Sequence, residues 1–66
     1  MKIRLSYLTP RLVAKKIRSC LKKAGLEWDY TNCYGEIWSG TPGQVELAVK
    51  KLNDIFQAIL YVEVIQ

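Results

Sequence analysis

Over residues 2–8 the side chains alternate, with Ile3, Leu5 and Tyr7 on one side and Lys2, Arg4 and Ser6 on the other. A period of two is that of a half-buried strand, and burying the first row places Lys2 and Arg4 outside. The period then changes. Val13, Ile17, Cys20, Leu21 and Ala24 recur at steps of one, three and four, the apolar stripe of a helix over residues 10–24. Thr9-Pro10 suits its start, with Thr9 as a cap and Pro10 at the first position, where an N–H would have no partner. Gly25 suits the left-handed residue that closes a helix.

Leu26, Trp28 and Tyr30 next alternate with Glu27, Asp29 and Thr31, and Ile37 alternates with Glu36 and Trp38. Between them Asn32-Cys33-Tyr34-Gly35 is rich in turn formers, which predicts a hairpin. Turning Ile37 inward leaves Glu36 and Trp38 outside. The opposite phase draws Glu36 inward, at a cost of roughly several kcal/mol for an unpaired carboxylate. Thr41-Pro42-Gly43-Gln44 then repeats the helix-start signal, with Gln44 completing a capping box. Its buried stripe is Val45, Ala48, Val49, Leu52, Ile55, Phe56 and Ile59. Residues 60–66 read as a last strand, with Leu60, Val62 and Val64 inside and Tyr61, Glu63 and Ile65 outside. Residues 12–17 resemble residues 47–52, a hint of internal duplication in a match too short to establish one.

The order β-α-β-β-α-β predicts an α+β fold of the ferredoxin-like kind. It is a four-stranded antiparallel sheet with both helices on one face and the first and third strands central. The chain of 66 residues makes one compact domain, 1–66. A domain this small buries only about 60% of its unfolded surface. Half of its residues are hydrophobic, enough for one core without disulfides or metals.

Cys20 and Cys33 are too few for a disulfide framework, and with no histidine they fit no zinc pattern. Cys20 lies on the apolar stripe and reads as a small buried hydrophobe; Cys33 lies at a turn. The lack of histidine also removes the commonest general base. Gly40-Thr41-Pro42-Gly43 lacks the lysine and spacing of a nucleotide loop and reads as a capped turn. No enzymatic role, catalytic residue, metal or cofactor is expected. No apolar run approaches a membrane span, so no membrane partner is expected, and a cytoplasmic location is the default.

Charge adds the functional signal. Residues 1–23 hold eight cations and no acid; the remainder holds Lys50 and Lys51 against six acids. Arg11, Lys15, Arg18 and Lys22 share one stripe of the first helix, flanked by Lys16 and Lys23. Solvated charge is one reading of that face. The other is contact with nucleic acid or an acidic protein, sequence-independent and sensitive to salt. A rival is a protein-interaction or homodimerising domain, an accessory factor or inhibitor, that uses an edge strand or the open sheet face. On that face Trp38, Tyr61, Ile65 and Arg4 are the expected contacts, Trp and Tyr being enriched at binding hot spots.

Tyr34-Gly35-Glu36-Ile37-Trp38 resembles the aromatic–glycine signature on the third strand of RNA-recognition domains, and residues 3–8 resemble the one on their first. The stacking positions hold Arg4 and Glu36 instead of aromatics. A carboxylate there repels phosphate, so base stacking on the sheet is not expected.

Overall fold

A computed structural model describes residues 1–65. In chain order it has β1 (Lys2–Ser6), α1 (Arg11–Lys23), β2 (Glu27–Asn32), β3 (Gly35–Ser39), α2 (Pro42–Leu52), a short 3₁₀ helix (Ala58–Tyr61) and β4 (Val62–Ile65). The strands form one antiparallel sheet in the order β2-β3-β1-β4, so β1 and β3 are central. Ile3 and Leu5 of β1 and Trp38 of β3 share one cluster with Ala14, Ile17, Cys20 and Leu21 of α1 and Val45, Ala48 and Leu52 of α2. Both helices therefore cover the same face of the sheet.

The helix boundaries follow from local chemistry. At the end of α1, Leu26 N–H reaches Leu21 C=O and Gly25 N–H reaches Lys22 C=O, both at 3.0 Å. These two bonds satisfy carbonyls the helix leaves free, and they require the left-handed turn that Gly25 makes at φ +92°. At the start of α2, Thr41 Oγ1 accepts from Gln44 N–H, and Gln44 Oε1 accepts from Thr41 N–H at 2.8 Å, the expected capping box. At α1 the expectation is corrected. Pro10 is the capping residue and no side chain caps the helix. The Thr9 hydroxyl instead donates to Ser6 C=O at 2.6 Å, tightening the turn that leaves β1.

The phase of β3 is also corrected. Residues opposite one another in an antiparallel ladder share a face. Trp38 lies opposite Ile3 and Glu36 opposite Leu5, so both point toward the helices, while Ile37 lies opposite Arg4 on the open face. Trp38 is 4% exposed. Ile37 is buried outside the main cluster, flanked across the ladder by Arg4 and Tyr30. A register shift at Asp29 then separates Trp28, opposite Trp38, from Tyr30, opposite Ile37. One extra residue in β2 thus puts on opposite faces two side chains that strict alternation placed together.

The last third of the chain departs most from the pattern. α2 stops at Leu52, so Phe56 (83% exposed) and Ile59 lie beyond its buried stripe. Gln57, at φ 62°, turns the chain into the 3₁₀ helix. Leu60 and Val64 are exposed, and Tyr7, just past the end of β1, is exposed too, against the expected burial of all three.

Candidate functional site

The two cations of the sheet, Lys2 and Arg4, are answered on the sheet. Lys2 Nζ lies 2.9 Å from Asp29 Oδ2 and sits over the Tyr30 ring. Arg4 on β1 pairs with Glu63, its direct neighbour on β4. Arg4 and Ile65 lie on the open face as expected, but Arg4 is engaged by a carboxylate. Glu36, expected beside Arg4, has turned away, and Ile37 takes its place.

Glu36 under the helices does not stand unpaired. Arg18 of α1 reaches down to it, with Nε 2.9 Å from Oε2 and 3.1 Å from Oε1, and Nη2 also on Oε2. The Trp38 indole N–H donates to Oε1 at 3.1 Å. The hydrogen bonds from Arg18 hold the Glu36 carboxyl below the usual glutamate range; partial burial opposes the shift and the Trp38 bond reinforces it. The desolvation cost that argued against this phase is offset by four hydrogen bonds. Those contacts also satisfy the indole of a buried tryptophan. Arg18 thereby leaves the basic stripe and becomes a strut between α1 and β3.

The remaining cations occupy the helix layer. Ten Lys and Arg side chains, less the three in pairs, leave Arg11, Lys15, Lys16, Lys22, Lys23, Lys50 and Lys51. All seven are exposed and all lie on α1 or α2. Among the described residues none of them makes an ion pair. The unpaired acids are Glu27, Glu46 and Asp54, none of them on α1. At 100° per residue, Arg11, Lys15 and Lys22 lie on the flank of α1 shared with Arg18, and Lys16 and Lys23 lie on the other. Leu12, 76% exposed, stands between the two flanks. Lys22 and Lys23 in the last turn of α1, like Lys50 and Lys51 in that of α2, complement the negative ends of the helix dipoles.

The expected protein contacts separate. Trp38 is withdrawn from the open face by the phase of β3, so it presents no surface to a partner. Tyr61 belongs to the 3₁₀ helix rather than to β4 and packs partly against the core. With Tyr7, Tyr34 and Leu60 it borders a concavity whose lining includes the Arg4–Glu63 pair. Tyr7, Tyr34 and Leu60 at that concavity are exposed, and so is Phe56 elsewhere on the chain. The α2 stripe, continued past Leu52, assigns Phe56 to the core, and the alternation of residues 60–66 assigns Leu60 there.

Comparison with known proteins finds no matching family model, no matching curated protein and no matching solved structure. Among the described residues no helix is long and apolar enough to cross a membrane.

Proposed function

We propose that this chain is a small non-catalytic binding module that holds nucleic acid through the basic outer surface of α1. One observation carries the reading: carboxylates offset the charge of Lys2, Arg4 and Arg18, yet five cations remain on α1 with no acid among them. Such a surface gains by displacing counterions from a phosphate backbone. It is about 20 Å long at 1.5 Å per residue, enough to follow several phosphates. The strand order β2-β3-β1-β4, read from the other edge as β4-β1-β3-β2, supports the ferredoxin-like arrangement for the scaffold. The sheet face of that scaffold serves another purpose here, since its central β3 position is Ile37, which has no ring for a base to stack on.

A titration of labelled duplex and single-stranded DNA and RNA against salt tests the reading. With four phosphates engaged, affinity falls about a hundredfold between about 50 and 200 mM salt and varies little with sequence. No binding at low salt rejects it.

A second reading rests on the contrast between the two sheet edges. β2 is guarded by its bulge at Asp29 and by two acids, devices that discourage strand addition. β4 has neither, its one charge is paired to Arg4, and Phe56, Ile59, Leu60 and Val64 are exposed in or near it. That edge suits a second copy of the chain, added strand to strand across a two-fold axis. Sedimentation that shows a dimer, lost in Phe56→Ser/Leu60→Ser, supports this; a monomer at millimolar concentration rejects it.

A further inference from the structure

The five α1 cations stand in two different settings. Arg11, Lys15 and Lys22 belong to the flank whose fourth member, Arg18, is already held by Glu36. Lys16 and Lys23 belong to the flank that meets α2, and there they join a cation from another element. A groove of about 390 Å³ runs between the helices, walled by Lys16, Ser19 and Lys23 of α1 and by Lys51 of α2. Cys20 and Ile55 give it an apolar lining, and Asp54 is its one carboxylate.

Three ammonium groups around one concavity repel one another, and an anion between them relieves that repulsion. The depression is shallow and open, but it gathers lysines from two helices, whereas Arg11, Lys15 and Lys22 stand on one helix alone. The cationic field reaches inward. Burial pushes the Cys20 thiol up, and Lys51 and Lys23 pull it part of the way back. Cys20 itself is 7% exposed, its sulfur 3.9 Å from Ala48 C=O.

We infer that this groove seats a backbone phosphate of the bound nucleic acid, with Lys16, Lys23 and Lys51 as its cations and the Ser19 hydroxyl as a neutral donor. The assignment rests on the nucleic-acid reading and deepens it. It adds Lys51, which lies outside α1, and it ranks the Lys16–Lys23 flank above the Arg11–Lys15–Lys22 flank. Asp54 at the same groove opposes any anion, so three lysines act there against one carboxylate, and one phosphate group fits that balance better than a cluster of carboxylates.

Two variants of equal charge test the ranking. Lys16→Gln/Lys51→Gln and Arg11→Gln/Lys15→Gln each remove two exposed cations, so a response to net charge alone affects them equally. With a fluorescent DNA duplex of about 20 base pairs at about 0.1 M salt, the groove variant binds about tenfold more weakly and the other at most about threefold. Equal losses, or a greater loss for Arg11→Gln/Lys15→Gln, overturn the groove and leave the nucleic-acid reading standing. A second arm uses inorganic pyrophosphate with amide NMR. Saturable shifts centred on Ser19, Cys20 and Lys51 support the groove even if the duplex does not bind, an outcome that removes the nucleic-acid reading alone. No shift at these residues overturns the groove.

Discussion

Arg18 on α1 and Glu36 on β3 lie side by side, the guanidinium Nε within 3.1 Å of both carboxylate oxygens. The pair fixes the phase of β3. Because Glu36 has a cation and an indole N–H above it, Trp38 can turn inward two residues later and complete the core against Ile3. The same contact takes one cation off α1 and leaves its neighbours free for a partner.

Replacing Glu36 separates the two parts of that contact. Glu36→Gln keeps an acceptor for the Trp38 indole and loses only the charge. It should cost about 1 kcal/mol, a modest value because Arg18 is 43% exposed and screened by solvent. Glu36→Leu removes the acceptor as well and leaves a buried indole N–H without a partner, which should raise the cost to about 2–3 kcal/mol. Urea unfolding measures both. Equal costs for the two variants contradict the role given to Trp38.

The pair also predicts a pH dependence. Glu36 is more acidic in the folded chain than the ordinary value of about 4.3. Its contribution to stability is therefore fully present above that value and is lost as pH falls from there through the lower folded value. The difference in urea midpoint between the natural chain and Glu36→Gln should shrink between about pH 6 and pH 3. A difference that stays constant across this range contradicts the pairing.

Two glycines should respond with opposite sign. Gly35 sits at φ +138°, and a Cβ there would fall 2.0 Å from the Leu5 carbonyl oxygen of the neighbouring strand. Gly35→Ala should cost about 3 kcal/mol or more, since backbone must move on both strands. Gly43 lies in the first turn of α2, where an added methyl group would have no other atom within 4 Å. Gly43→Ala should stabilise by about 0.5–1 kcal/mol through helix propensity. Thermal unfolding of the two variants provides the check.

The end of α2 gives a contrast between apolar residues of one stripe. Leu52 is fully buried, so Leu52→Ala should cost about 2–5 kcal/mol. Phe56 is 83% exposed, so Phe56→Ala should stay within about 0.5 kcal/mol in dilute solution. A large loss at Phe56 would return it to the core, where periodicity alone had placed it.

These residues show where the sequence was legible. Strong local chemistry carried through: the α1 stripe from Val13 to Ala24, the turn at Gly25, the capping box of Thr41 and Gln44, and the alternation of β1. Three features depended on more than local pattern. The phase of β3 turned on Arg18, a residue of another element, remote in sequence from the Glu36–Ile37–Trp38 alternation that it decides. The bulge at Asp29 adds one residue without any glycine or proline to announce it. The early end of α2 follows no breaker at Asn53, so the apolar pattern ran on through Phe56 and Ile59. At the candidate site, the helical stripe grouped the cations of α1. It had no means of separating Arg18 from the rest, or of adding Lys51 from another helix.

Amide NMR during titration with a short DNA duplex tests the division between a sheet face whose cations are paired and a cationic helix layer most directly. The predicted shifts fall on α1 from Arg11 to Lys23 and around Lys51, with Arg4, Ile37 and Glu63 unmoved. Shifts concentrated on β1, β3 and β4, with α1 silent, would contradict it.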